Sequence, residues 1–224
     1  MRVLAVDTSF EACSAAILDG EKVLWLDQRV IGRGHSEVLP VIVAAGLEAA
    51  GLNVSDFDRI GVVIGPGAFA GVRVGLAFAR ALCLGMKAKA VGVNSLKALA
   101  ASVEKRGLIA PVFDARRGQV YAALYNASLE ELIEPFVAVP AEASRRLSAA
   151  GAERLILAGS GAPLIGLYVS APFETSPVSL IHPVAVARLA MSAALPSSPP
   201  APLYLRPPDA APSAGGLFNR LAEP

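Results

Sequence analysis

The sequence predicts an α/β fold built from two similar halves, each with a mixed sheet flanked by helices. Three strand patterns joined by turns open the chain, and helix and strand patterns then alternate, as they do around sheets with parallel strands. The opening strand pattern recurs in the second half of the chain. We therefore expect two subdomains of related topology.

The composition indicates a folded, apolar-rich protein. Of 224 residues, 54% are hydrophobic and 17% are charged, and the net charge is +1. This balance does not indicate the broad basic surface of a protein that grips nucleic acid by itself. The apolar run at residues 3–6 is too short to suggest a secretory signal, no apolar run is long enough to cross a membrane, and there are only two cysteines. We expect a cytoplasmic protein with reduced thiols.

The N-terminal strands are predicted at Val3 to Val6, Cys13 to Leu18 and Lys22 to Gln28, each a short apolar run bounded by turn residues. Asp7 follows the first strand directly. In several ATPase folds an acidic residue at this point serves the nucleotide site. The alternative is that the Asp7 side chain hydrogen-bonds its own turn.

A helix is predicted to begin at Gly34 to Glu37, with Ser36 as its N-cap, and to end at Gly51. His35 suggests a metal ligand, but a paired ligand is lacking because the residue four positions on is Leu39. We therefore predict no metal and assign His35 a hydrogen bond at the helix start. The apolar contacts of this helix are predicted at Val38, Leu39, Ile42, Val43 and Leu47.

The next unit is a strand, a glycine-rich loop and a helix, spanning Ile60 to Leu84. Gly71 is followed by Val72 and Arg73, whereas a phosphate-binding loop of the Walker type needs Lys and then Ser or Thr. The spacing G-x-G-x-x-x-G also departs from the dinucleotide fingerprint. We predict no cofactor at this loop.

A stripe of small residues follows one side of the helix after this loop: Gly71, Gly75, Ala79 and Cys83 recur every four positions. Such a stripe lets another backbone approach closely. The helix either packs this stripe on the chain's own sheet or presents it to another subunit.

Ser95 is predicted to cap a helix from Leu96 to about Lys105. The internal repeat begins shortly afterwards. Residues 110–114, which end in Asp114, and the strand 120–124 align with the first strand, ending in Asp7, and the strand that follows it. We therefore place the subdomain boundary between residues 107 and 111.

The second half contains further candidate elements. Arg116 and Arg117 lie in the loop of the second hairpin, where guanidinium groups either reach phosphate or carboxylate or form a solvated turn. A helix is predicted at 141–149, followed by a strand at 154–158 that leads into a short glycine-rich turn at 159–161. A last helix is predicted from His182 to about Leu195. Residues 196–216 are predicted to form an extended Pro-rich tail, in which Leu203 to Arg206 docks on the body of the protein.

Residues 65–73, Gly-Pro-Gly-Ala-Phe-Ala-Gly-Val-Arg, resemble the glycine-rich signature of the bacterial TsaB (YeaZ) family. The departures are Ala68 and Ala70, where that family usually has Ser and Thr. The resemblance extends to Val-Asp-Thr-Ser at 6–9, Gly-His-Ser-Glu at 34–37, Asp-Ala-Arg-Arg at 114–117 and Tyr-Leu-Arg at 204–206.

The resemblance implies a duplicated actin-like, ribonuclease-H-like fold of the ASKHA superfamily. In that fold we expect an N-terminal subdomain at residues 1–108 that carries the partner-binding helices, a smaller C-terminal subdomain at 109–195, and the Pro-rich tail at 196–224.

The resemblance also implies a non-catalytic subunit. Its partner is a TsaD-type homologue, which carries the metal and transfers a threonylcarbamoyl group to N6 of adenosine 37 in tRNAs reading codons that start with A. A TsaE-type ATPase joins the pair, tRNA is contacted through the complex, and the chain forms a homodimer when alone. The expected partner-binding residues lie on two helices: His35, Leu39, Ile42, Val43, Phe69, Gly71, Arg73, Val74, Gly75, Phe78, Ala79 and Leu82.

The alternative is an enzyme in its own right, an actin-like ATPase or kinase or a metallopeptidase. Asp7 and Asp114, with Arg116, are then the weak candidates for binding a nucleotide and its metal. Such chemistry needs carboxylates that face each other across a cleft and a backbone that cradles phosphate. The sequence supplies the aspartates but no further catalytic group.

Overall fold

Two five-stranded sheets of the same strand order form the framework of the protein. The computed structural model describes residues 1–104, 107–149 and 154–206. The first sheet contains β1 (Arg2–Asp7), β2 (Ala12–Asp19), β3 (Lys22–Val30), β4 (Arg59–Gly65) and β5 (Lys89–Asn94). The second contains β6 (Leu108–Arg116), β7 (Gln119–Tyr125), β8 (Glu131–Ala138), β9 (Leu155–Ala158) and β10 (Phe173–Thr175).

Six α-helices in the described residues accompany the sheets. They are α1 (His35–Ala50), α2 (Phe69–Leu82), α3 (Ser95–Ala101), α4 (Pro140–Ala149), α5 (Ala162–Gly166) and α6 (Pro183–Ser192). Within this described part, no helix has the length and apolar character needed to cross a bilayer.

The two sheets repeat one topology. Their orders are β3-β2-β1-β4-β5 and β8-β7-β6-β9-β10. In each, the first strand pairs antiparallel with the second and parallel with the fourth. The repeated 3-2-1-4-5 order is that of the ribonuclease-H-like fold, so the predicted duplicated actin-like architecture is confirmed. Asp7 and Asp114 lie at matching places, paired with Ser14 and Val120 of the following strands.

The core forms three clusters in layers. One cluster fills the space between the sheets and includes α3 and α6, with Leu99, Phe113 and Val186 among its members. A second lies between the first sheet and the pair α1 and α2, and a third between the second sheet and α4 and α5. Burying a large apolar side chain such as Ile42 contributes about 1.5–3 kcal/mol, so these clusters hold the helices on their sheets.

Helix α6 follows the second sheet in sequence but packs on the first. A Cβ added at Gly61 of β4 would lie 2.8 Å from the Ala190 Cβ, so α6 approaches the first sheet closely at this glycine. Arg59, at the start of β4, donates through Nη1 to the carbonyls of Ala190 (2.7 Å), Met191 (3.0 Å) and Ala193 (2.6 Å) at the end of α6. The helix thus joins the two halves, and the subdomain boundary near residue 108 stays a prediction.

Two predicted N-caps are wrong. Helix α1 begins after Gly34, which adopts a left-handed conformation (φ 82°), and the Ser36 hydroxyl donates instead to Glu37. Asn94 caps α3, since its Oδ1 accepts from the amides of the two residues after Ser95 at 2.8 and 3.2 Å. The hydroxyl of Ser95 turns inward and donates to the Pro66 carbonyl at 2.5 Å.

The other helix boundaries agree with the predicted ones or differ from them by a few residues. Gly51 ends α1 in a left-handed conformation (φ 64°), as predicted, and the ring of His182 caps α6. Helix α3 already ends at Ala101, and the predicted end at Lys105 lies outside the described residues, as does the tail beyond Arg206. Strands β8 and β10 were not expected from the sequence.

Replacing Arg59 with Met is expected to lower the free energy of unfolding by about 2–3 kcal/mol, because three carbonyls at the end of α6 lose a charged donor. Urea unfolding measures the change. The matched control is Arg188→Met on α6. The exposed ion pair of Arg188 with Glu21 contributes less than about 0.5 kcal/mol. Equal effects of both substitutions would contradict the role of Arg59.

Candidate partner-binding face and cleft

The glycine-rich loop brings α2 into backbone contact with the turn after β1. The Thr8 hydroxyl donates to the Gly71 carbonyl at 2.7 Å. A Cβ added at Gly71 would lie 2.0 Å from the Thr8 carbonyl oxygen, and one at Gly67 would lie 2.6 Å from the Ser9 carbonyl oxygen. Only glycine permits this approach, because any side chain would overlap the backbone of the turn.

The stripe of small residues on α2 therefore packs on the chain's own body. Gly71, Gly75 and Ala79 are buried, and a Cβ at Gly75 would lie 2.8 Å from the Thr8 hydroxyl and 3.4 Å from Val62. Of the two alternatives open at the sequence level, packing on the sheet is the correct one. Gly71, Gly75 and Ala79 are therefore covered by the chain's own body.

Several residues of the predicted partner-binding set do not lie at the surface of the protein. The residues that are buried inside the chain are Leu39, Ile42, Val43, Gly71, Gly75 and Ala79. They belong to the core between α1, α2 and the first sheet, so they are inaccessible to a second protein. The partly or fully exposed members are His35, Phe69, Arg73, Val74, Phe78 and Leu82, and their contact with a partner stays a prediction.

The outer surface of α1 and α2 is apolar and built of small residues. Val41 is 59% exposed at the middle of α1. We call this surface the α1–α2 face and define it by Pro40, Val41, Ala44, Ala45, Val74, Ala77, Phe78 and Ala81, which are exposed or half-buried. The periodicity argument missed most of them because it selected the residues that face the core.

The segment Leu203–Arg206 extends the surface at the start of α2, as predicted for a docked tail segment. The Tyr204 ring stacks on Phe69 at 4.9 Å between centroids. The Arg73 guanidinium lies 3.7 Å over the same Phe69 ring and donates to the Tyr204 hydroxyl at 3.0 Å. Leu203 donates its amide to the Ile64 carbonyl at 2.8 Å, which fixes the segment beside the end of β4.

Asp7 holds its own turn. The side chain is buried, and one carboxylate oxygen accepts from the Ser9 amide at 2.8 Å and the Ser9 hydroxyl at 2.6 Å. Burial raises the pKa of Asp7, partly offset by the Ser9 hydrogen bonds and by the charge of His35. The Nε2 atom of His35 is buried without a hydrogen-bond partner in the described residues. The contacts of Asp7 match the alternative in which its side chain hydrogen-bonds its own turn.

Asp114 lies in a cleft between the two sheets. A cavity of about 400 Å³ is lined by Asp114, Arg116, Ser160 and the ring pair of Phe10 and Phe113, which stack at 3.9 Å. Asp114 accepts from the Arg116 amide at 2.7 Å and from its guanidinium at 3.3 Å. The amide of Asp114 donates to the Ser160 hydroxyl at 3.2 Å, so the turn at 159–161 packs on β6.

The cleft therefore does not bring the two repeated aspartates together. Asp7 is buried against Ser9 and is absent from the lining of this cavity, whereas Asp114 is paired with Arg116 at its edge. Across the described ranges 1–104, 107–149 and 154–206, no group of three or more His, Cys, Asp or Glu side chains is placed to hold a metal ion.

Replacing Gly71 with Ala is expected to destabilise the protein by about 2 kcal/mol or more, even though alanine favours helices, because the new methyl group meets the Thr8 backbone. In Gly75→Ala the new methyl group is too close only to the Thr8 hydroxyl, at 2.8 Å, while Val62 lies at 3.4 Å. The destabilisation caused by Gly75→Ala should be smaller in a Thr8→Ala background, whereas the destabilisation caused by Gly71→Ala should stay the same. Chemical unfolding of the three single and two double variants measures this, and additive effects for Gly75→Ala and Thr8→Ala would contradict the contact.

Asp7→Asn is expected to change how stability depends on pH. Because burial raises the pKa of Asp7 in the folded state, the stability that this carboxyl contributes falls as pH rises from its ordinary pKa of 3.8 through the raised value. Asparagine keeps an acceptor for Ser9 and does not titrate. The variant should gain stability relative to the parent as pH rises above about 4. A pH-independent difference in urea unfolding would contradict the burial of this charge.

Comparisons with known proteins agree with this geometry. Residues 29–180 match the family model described as TsaD, tRNA N6-adenosine threonylcarbamoyltransferase. The chain is 36% identical to TsaB of Bacillus subtilis over 137 residues, which is 59% of this chain and 60% of that protein. It is 35% identical over 216 residues to an uncharacterized Mycobacterium tuberculosis protein, covering 95% of both chains.

Comparison with two solved structures points to the same family. The structure of YeaZ from Pseudomonas aeruginosa superimposes with a TM-score of 0.74 at 26% identity, covering 85% of this chain and 91% of that one. A second solved structure, with similarity to YeaZ, reaches 0.78 at 27% identity, with 92% and 99% covered. Strand order, glycine-rich loop and sequence matches lead to one conclusion: the chain belongs to the TsaB (YeaZ) family.

Proposed function

We propose that this protein is a non-catalytic subunit in the biosynthesis of threonylcarbamoyladenosine in tRNA, and that it binds a TsaD-type transferase through the α1–α2 face. The observation that carries the proposal is an exposed apolar two-helix surface on a chain of this family. Proteins named for this pathway are among its relatives. The modified position is then adenosine 37 of tRNAs that read codons starting with A.

The composition of the face suits close helix packing. Ala44, Ala45, Ala77 and Ala81 carry only methyl groups, so helices of a partner can approach to the short end of the usual 8–10 Å interaxial range. The family model that matches residues 29–180 is that of the transferase itself. A homologous partner would therefore offer equivalent helices, and two helices from each chain would form a four-helix interface.

The same surface can pair with itself when the transferase is absent. Exposed acids lie on α1 at Glu37 and Glu48, and exposed bases lie on α2 at Arg73 and Arg80. A two-fold arrangement that places α1 of one copy against α2 of the other would bring opposite charges together. Such a homodimer would compete with the transferase for the α1–α2 face.

An independent phosphoryl-transfer activity has less support. It would need both repeated aspartates beside bound phosphate and metal. The Asp7 carboxyl is instead buried against Ser9, with a raised pKa that disfavours its charged form, and Asp114 is held by Arg116. The contacts of Asp7 and Asp114 thus favour structural roles for both residues over roles in phosphoryl transfer.

The test is a charge placed on the α1–α2 face. Val41→Glu is expected to abolish co-elution with the TsaD-type subunit on a size-exclusion column, because a carboxylate would be buried in an apolar interface. The matched control is Leu167→Glu, which changes an 83% exposed leucine in the second half of the chain and should leave the complex intact. Circular dichroism checks that both variants fold.

Modification of tRNA by the reconstituted subunits gives the functional readout. Val41→Glu should lose modification in parallel with complex formation, and Leu167→Glu should retain both. Undiminished complex formation by folded Val41→Glu would reject the α1–α2 face as the interface.

A further inference from the structure

The Pro-rich segment after α6 runs along the first half of the molecule before it reaches the second. Its first carbonyl, that of Ala193, accepts from Arg59 at 2.6 Å, and the Pro200 carbonyl accepts from Arg80 of α2 at 2.6 Å. Prolines at positions 196, 199, 200 and 202 stiffen this stretch, so less chain entropy is lost when it docks. The segment is therefore already held on the first half where residue 203 begins.

Residues 203–206 contact both halves within four positions. On the first half, the Leu203 amide donates to the Ile64 carbonyl near the end of β4 at 2.8 Å. On the second half, the Arg206 guanidinium donates to the Ala115 carbonyl of β6 at 2.5 Å. We call this four-residue segment the clasp, because its two ends are bonded to different halves of the molecule.

The middle of the clasp is fixed by packing. Tyr204 stacks on Phe69 and accepts a hydrogen bond from Arg73, which places its ring on α2. Leu205 packs against the apolar cluster that fills the space between the two sheets. Lifting the clasp would return this leucine to water, so the hydrophobic effect opposes its release.

A second link between the halves lies inside the cleft. The Phe10 ring, in the turn after β1, stacks on the Phe113 ring of β6 with 3.9 Å between centroids and 24° between planes. Phe113 is buried, and Phe10 packs against the cluster between the sheets. Stacked rings favour a narrow range of separations and orientations, so a movement that parts the halves loses this contact.

The surface shared by the two halves is apolar as well. Val3 and Val63 of the first sheet and Phe113 and Ile156 of the second belong to one buried cluster. Domains move relative to each other by default unless the interface between them is large and hydrophobic. A hinge motion of this molecule would have to part that cluster.

We propose that the clasp and the Phe10–Phe113 stack hold the two halves at one fixed separation, so that the cleft neither opens nor closes. In many enzymes a cleft between two halves closes around its ligand by a hinge motion. Here the chain itself bridges the two halves at the clasp and again at the ring stack. This inference does not depend on the proposed function, because every contact that carries it lies within the chain.

The test measures the distance between the halves by pulsed electron paramagnetic resonance. Spin labels are attached at Val30→Cys, two residues before Gly32 of the cleft lining, and at Leu167→Cys in the second half. These side chains are 65% and 83% exposed. Cys83→Ala removes the half-buried native thiol, and Cys13 is buried. Dilution with unlabelled protein suppresses distances between copies.

The labelled parent should give one narrow distance distribution, which addition of ATP and magnesium should leave unchanged. Arg206→Gln should broaden it, and Arg206→Gln with Phe10→Ala should broaden it at least about twofold, because both links are then lost. The matched control is Arg145→Gln, which removes a 77% exposed arginine whose ion pair lies within α4. It should keep the parental width.

A broad or two-peaked distribution in the parent would overturn the proposal, as would a shift of the parental distance when ATP and magnesium are added. The parental width in a folded double variant would overturn it too. Circular dichroism checks folding. If the double variant does not fold, Arg206→Gln decides alone, since the side chain it changes lies at the end of the clasp, and an unchanged width would then contradict the role of the clasp.

Discussion

The contact between Thr8 and Gly71 fixes the arrangement on which the rest of the structure depends. A hydroxyl-to-carbonyl hydrogen bond of 2.7 Å joins the turn after β1 to the first turn of α2. The glycine leaves no side chain between the two backbones. Helix α2 therefore lies flat on the first sheet with its small-residue side inward, and its opposite side becomes surface.

This arrangement also decides what surrounds α2. Its outer side forms the α1–α2 face together with α1, and at its N-terminal end Phe69 and Arg73 contact the docked Tyr204. The glycine-rich loop, which in sequence invites comparison with nucleotide-binding loops, is used here to pack one element against another. The same packing exposes the α1–α2 face, on which we propose that a partner chain binds.

Much of the fold was predictable because its determinants are local. Apolar runs interrupted by turn residues located the N-terminal strands, and the repeated strand that ends in Asp7 and Asp114 revealed the duplication. The caps were not predictable in the same way. Ser36 and Ser95 have suitable side chains, but each cap depends on which backbone conformation precedes the first turn, and Gly34 and Asn94 take those positions.

The candidate site was less predictable, because a helical period identifies a stripe but not what it faces. Gly71 and Gly75 were equally consistent with a subunit contact and with packing on the sheet, and only the position of Thr8 decides between them. The return of α6 to the first sheet, held by Arg59, likewise depends on a contact across 131 or more residues. Long-range contacts of this kind leave no periodic signal in the sequence.

The central claim is that the outer side of α1 and α2 holds a TsaD-type partner, and hydrogen–deuterium exchange with and without that partner tests it most directly. The account predicts slower exchange in the complex for amides of residues 35–50 and 69–82, with the strands of the second sheet unchanged. Protection confined to the second sheet, with both helices exchanging as in the free protein, would contradict it.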